Sequence, residues 1–191
     1  ANSNAHLTVR DGTLSGSINV GSAPFLPSDG LKGPGVLRLV DASVNGFVRT
    51  GRDGGNGEII LEGISNLNLN GFFRFGTGDT TIRYRGQASL DGDLTGGDNG
   101  PVSLINGADS VRLAGSLRDA ASGDRLVNTQ SGTLEVDRGY VFVSWPFIND
   151  GLVELTSSTL QLGSTFTGTE VSGSGAVDLS GGTLMISGQI N

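Results

Sequence analysis

Residues 35–61 read GVLRLVDASVNGFVRTGRDGGNGEIIL, and this stretch decides the fold. Gly35 opens a phrase with apolar residues at Leu37 and Leu39, and one repeat later Gly57 opens the same phrase with Ile59 and Leu61. Alternation with period two describes a strand with one buried face, and glycine ahead of it marks a break in the chain. The phrase Gly-x-apolar-x-apolar returns at Gly100, Gly132, Gly151 and Gly175, at intervals that scatter around the first one. The interval from Gly57 to Gly100 is nearly twice as long and reads as two rungs, with an irregular copy near Gly78 that carries Thr80, Ile82 and Tyr84. The interval from Gly100 to Gly132 reads as one rung with a loop inserted around Asp119 to Asp124. A second phrase, apolar-x-apolar-x-Gly, appears as Leu67, Leu69, Gly71, as Val111, Leu113, Gly115 and as Leu184, Ile186, Gly188, so each unit offers at least two short strands. No segment shows a capped run of helical period, a single turn near Asp119-Ala120-Ala121 aside.

One such unit cannot bury its own apolar face, whereas stacked units cover it and pair each strand with the rungs on either side. The expectation is an all-β fold: a parallel β-helix, or β-solenoid, with irregular rungs of about 22 residues, forming a single domain over residues 1–191. Eight or nine rungs at about 4.8 Å each would make a rod on the order of 40 Å long. Glycines fall at the corners, and in Asp53-Gly54, Asp91-Gly92, Asn106-Gly107 and Asp150-Gly151 the acidic or amide residue is suited to the same left-handed backbone. The rival is an antiparallel sandwich or barrel, because Asp-Gly and Asn-Gly between alternating strands also signal hairpins.

Composition narrows the functions. Glycine fills 33 of 191 positions without a three-residue period and with only 5 prolines, which excludes collagen. The net charge is -7, the pI is near 4.5, and Lys32 is the single lysine, so the basic stripe that nucleic acid requires is missing. No apolar run is long enough to span a membrane as a helix. Without cysteine there are neither disulfides nor thiolate metal sites.

No catalytic residue is expected. His6 is the sole histidine and stands in no motif that pairs it with a nucleophile. Zinc and copper sites need several histidine or cysteine ligands. Calcium is the one candidate cofactor: Asp91 and Asp93 flank Gly92, Asp98 follows, and hard oxygen ligands would suffice. Residues 54–58, GGNGE, begin like the nonapeptide calcium repeat, but no tandem copy follows, and solvated corner carboxylates are the simpler reading. A glycosidase would draw its two carboxylates from Asp91, Asp93, Asp119, Asp124, Glu135 and Asp137, none of which lies in a recognisable motif.

The most individual segment is residues 140–147, YVFVSWPF. Alternation puts Tyr140, Phe142 and Ser144 on one face and Val141, Val143 and Trp145 on the other, so both faces are apolar. One face fills the core, and the other offers aromatic groups for a neighbouring subunit or a sugar. Tyr140, Phe142, Trp145 and Phe147 are therefore the binding or assembly candidates, and Phe72, Phe73 and Phe75 raise the same question. Threonines such as Thr80, Thr81, Thr159 and Thr183 are not spaced as the flat ladder an ice-binding solenoid would show.

Residues 131–191 carry a resemblance to the repeats of bacterial autotransporter passengers and related surface adhesins. It rests on Asn149-Asp150-Gly151-Leu152-Val153-Glu154-Leu155 and on Gly181-Gly182-Thr183-Leu184-Met185-Ile186-Ser187-Gly188, while residues 35–117 match more loosely. The resemblance implies a right-handed solenoid at a cell surface or in an extracellular assembly, and it transfers no catalytic residue. Residues 181–191 read as a rung with nothing to close the stack, and Leu7, Val9, Leu14, Ile18 and Val20 already read as strand. The expectation is either a piece of a longer passenger or the protomer of a fibre. Its function is expected to be structural or adhesive and non-enzymatic, through self-association or a cell-surface glycan, with a carbohydrate-active enzyme or carbohydrate-binding module as the alternative.

Overall fold

The structure, a computed structural model, describes residues 5–20, 35–50, 56–68, 73–75, 79–91, 94–95, 102–107, 109–118, 123–136, 139–163 and 169–190. These form three walls of parallel strands around one apolar interior. The first wall is nine strands deep: β1 (Ala5–Arg10), β3 (Gly35–Val40), β5 (Gly57–Glu62), β8 (Thr80–Arg85), β11 (Val102–Asn106), β14 (Arg125–Asn128), β17 (Phe147–Asn149), β20 (Thr169–Ser172) and β23 (Gly188–Ile190). The second contains β2 (Thr13–Val20), β4 (Ser43–Thr50), β6 (Ser65–Asn68), β9 (Ala88–Asp91), β12 (Asp109–Leu113), β15 (Gly132–Val136), β18 (Leu152–Leu155) and β21 (Ala176–Asp178), with β7 (Phe73–Phe75) on the far half of β4. The third contains β10 (Leu94–Thr95), β13 (Leu117–Arg118), β16 (Gly139–Val143), β19 (Ser158–Leu162) and β22 (Thr183–Ile186). From β8 onward each turn visits the walls in that order, whereas among the described residues the turns before it have strands only in the first two walls, and the whole is a parallel β-solenoid. The hairpin reading fails, because the one antiparallel contact among the described residues is the isolated bridge Thr156 to Gly181.

Register shows how the sequence is threaded. One interior column of the first wall runs Leu7, Leu37, Ile59, Ile82, Leu104, Leu126, Phe147, Val171, Ile190, each opposite the next. From Leu37 to Val171 the spacing along the chain is nearly constant, and the terminal steps depart from it: Leu7 to Leu37 is longer and Val171 to Ile190 shorter. Leu37 to Leu126 are at most 1% exposed, and each such side chain contributes roughly 1.5–3 kcal/mol of burial. The copy near Gly78 is indeed a rung, since β8 pairs with both β5 and β11.

Two expectations are corrected. No loop is inserted between the phrases of Gly100 and Gly132, because Ser103 stands opposite Arg125, one ordinary rung away. The phrase at Gly35 and Gly57 belongs to the first wall and that at Gly132 to the second, so the longer gap is a change of wall. The left-handed corners are also placed differently. Asp11 and Asp41 adopt φ of 49° and 51°, and Gly63 and Gly86 continue the corner, while Asn106 and Asp150 have no positive φ. Asp41 Oδ1 accepts the Ile64 amide at 2.9 Å, and a Cβ on Gly63 would collide with that oxygen, so this corner requires glycine in the rung after Asp41. Asp53 lies outside the described residues, as do Asp119 to Ala121, where the sequence allows a helical turn.

Candidate functional site

The segment 140–147 splits as alternation dictates, and the split decides which aromatics can bind anything. Val141, Val143, Trp145 and Phe147 point inward. Trp145 is fully buried where the chain turns from β16 to β17, and its Nε1–H donates to the Arg118 carbonyl at 3.0 Å. Phe147 continues the first-wall column between Leu126 and Val171. Trp145 and Phe147 are therefore core residues: Trp145 presents no face to a sugar or a subunit, and Phe147 is reached only through the cavity at the last rung. Tyr140 and Phe142 remain on the outer face of the third wall, with Tyr140 54% exposed. The Tyr140 hydroxyl donates to Gln161 Oε1, and the Arg118 guanidinium sits 5.8 Å from the Phe142 ring centre. Register places Thr159 and Thr183 beyond Tyr140, and Gln161 and exposed Met185 beyond Phe142. Thr159 and Thr183 thus stack as one pair, whereas Thr80 is buried. The side chains of Phe72, Phe73 and Phe75 lie outside the described residues.

Of the six candidate carboxylates, the side chains of Asp124 and Glu135 are described, and these two do not converge. Asp124 is buried and accepts the Val102 amide at 2.8 Å, whereas Glu135 lies on the outer face of the second wall and accepts the Ser110 hydroxyl. One therefore serves the interior and the other the surface, not the shared cleft a glycosidase needs. Asp150 Oδ1 accepts the Ser174 amide and hydroxyl at 3.0 and 3.1 Å, holding the next rung as Asp41 does. Asp93, Asp98, Asp119, Asp137 and the side chain of Asp91 lie outside the described residues; among those described, no group of three His, Cys, Asp or Glu is placed for a metal. His6 is exposed on β1.

An interior feature escaped the sequence reading. Asn106, Asn128 and Asn149 are buried in one column, each opposite the next. Asn106 Nδ2 donates to Asn128 Oδ1 at 2.9 Å and Asn128 Nδ2 to Asn149 Oδ1 at 2.8 Å. The same Nδ2 atoms also donate to the carbonyls of Thr133 and Leu152, joining the end of the first wall to the start of the second. The ladder and the backbone stacked beside it explain the glycine phrase of the second wall: a Cβ on Gly132 would fall 2.5 Å from Asn128 Oδ1, while one on Gly151 or Gly175 would collide with the carbonyl oxygen of Gly132 or Gly151, respectively. Near-equal spacing was the available signal, but Asn106 beside Gly107 reads as an exposed corner.

Two other features have the shape of sites. At both ends of the stack, side chains in interior columns are uncovered: Leu7 is 50% exposed at the first rung, and Val177 and Ile190 are 42% and 69% exposed at the last. A cavity of about 180 Å³ opens at the last rung, lined by Phe147, Asn149, Val171, Val177, Leu184 and Ile186 among others. On the outer face of the second wall lies a groove of about 410 Å³. Its floor is the register column Ser43, Asn66, Ser89, Arg112, Glu135, and its rim carries Ile64 and Gln87 from the corner.

No protein family, no curated protein and no solved structure matches this chain.

Proposed function

We propose that this chain is a non-enzymatic structural or adhesive element of an extracellular or cell-surface assembly, akin to autotransporter passengers, and that its rungs continue end to end into a second copy. One observation carries the reading: both terminal rungs expose side chains that belong to interior columns, Leu7 at one end and Val177 and Ile190 at the other. Those residues stand in register with buried ones, so the surface that best covers them is another rung of the same cross-section. The phrases at residues 149–155 and 181–188 support the adhesin-like part of the reading, as does the divergence of Asp124 and Glu135 for the non-enzymatic part.

The test is negative-stain microscopy with light scattering on wild type and on a Val177→Lys, Ile190→Lys double variant. Rods that lengthen with protein concentration, and that the double variant abolishes without changing its circular dichroism, are expected. A wild-type chain that stays monomeric at every concentration, or a double variant that assembles equally well, overturns the reading.

A further inference from the structure

We propose that the groove on the outer face of the second wall is a binding site for an uncharged oligosaccharide, a property that goes beyond end-to-end assembly and does not depend on it. The floor spans five successive rungs, so at about 4.8 Å per step it is on the order of 19 Å long, enough for a few pyranose rings in line. Its polar groups are amides, hydroxyls and one opposed pair of charges: Asn66, Gln87, Ser89, Ser110, Arg112 and Glu135. These offer donors and acceptors side by side, the arrangement that neighbouring sugar hydroxyls require.

Charge and shape exclude other occupants. Arg112 and Glu135 stand opposite each other in register, so their formal charges cancel in a chain of net charge -7. A polyanion or polycation would find no net attraction there. Glu135 is held by the Ser110 hydroxyl, so its carboxylate is preset before a ligand arrives. An extended peptide recognised by strand addition needs an open sheet edge, and β6, β9 and β12 are each paired on both sides. Ile64, 75% exposed at the rim, offers an apolar contact for the C–H face of a sugar ring while the floor takes its hydroxyls.

The experiment prints linear neutral hexasaccharides of glucose, mannose, galactose and N-acetylglucosamine in α and β linkage, and follows the strongest binder by calorimetry on the monomeric fraction. Gln87→Ala and Glu135→Ala are expected to weaken binding at least about tenfold, and Ser89→Trp to abolish it by filling the groove. Melting temperatures near that of wild type show that these variants fold, and Tyr140→Ala is expected to bind normally. Absence of binding to every neutral glycan overturns the proposal. So does binding that Tyr140→Ala removes and the groove variants retain, which would move the site to the third wall.

Discussion

At the scale of single residues, the polar groups inside the solenoid behave in opposite ways. The asparagine ladder is paired rung to rung, so removing its middle member strands groups on both sides. Asn128→Ala leaves Asn106 Nδ2 without its amide partner and removes the donor to Asn149 Oδ1 and the Leu152 carbonyl. A loss of about 2–4 kcal/mol is expected in urea titration, since each buried group left unpaired costs about 1–3 kcal/mol. Tyr84 is the contrary case: its hydroxyl is buried with no hydrogen-bond partner among the described residues, and burial pushes its pKa above the ordinary tyrosine value. Tyr84→Phe is therefore expected to leave stability equal or raise it by up to about 1 kcal/mol. A raised folded-state pKa contributes stability that is present below the unfolded value, about 10, and lost as pH climbs beyond it. Thermal melts from pH 8 to 11 are expected to show wild type weakening above pH 10 and Tyr84→Phe weakening less.

At the scale of elements, corners and walls are held by different forces. The corner after β3 combines a left-handed Asp41 with a carboxylate that accepts the next rung's amide. Asp41→Ala removes that acceptor and puts alanine at φ 51°, where left-handed backbone costs about 1–2 kcal/mol. Asp41→Gly is expected to recover most of the backbone part, so melts of the two variants separate strain from hydrogen bonding. Outside the first wall, Glu62 pairs with Arg38 at 2.5 Å and Arg85 at 3.6 Å, and Glu58 with Arg83 at 2.8 Å. The arginines are 40–57% exposed, so these bridges are strongly screened. Glu62→Gln is expected to cost less than about 1 kcal/mol, and the difference from wild type should shrink in high salt.

At the scale of the whole molecule, stability is a chain of nearest-neighbour contacts between rungs. The central rungs bury Leu37 through Leu126, while the last exposes Ile190. Hydrogen exchange followed by mass spectrometry is expected to find the slowest amides in β5, β8, β11 and β14, and faster ones in β20 to β23. If end-to-end stacking occurs, β21 to β23 should gain protection as concentration rises, and the Val177→Lys, Ile190→Lys variant should not.

Period-two alternation and the recurrence of the glycine phrase pointed to the strands and to which of their faces are buried, because those follow from which side chains avoid water, while the pairing settled parallel stacking over the hairpin alternative. The same regularity hid other features. A Gly-x-apolar-x-apolar phrase suits any wall, so only register showed that Gly57 and Gly132 lie in different ones. Both faces of residues 140–147 are apolar, so it took the turn after β16 and the Arg118 carbonyl to put Trp145 inside and leave Tyr140 outside. Asn106, Asn128 and Asn149 are polar by composition and interior by position, because the Nδ2 group of each donates to a neighbouring rung, although Asn106 Oδ1 at the ladder's end is buried without a partner among the described residues. Local pattern determined the strands and what they bury. Only the stacked structure decided which polar groups satisfy one another and which outer faces form a groove, since those contacts join side chains a full rung apart in the chain.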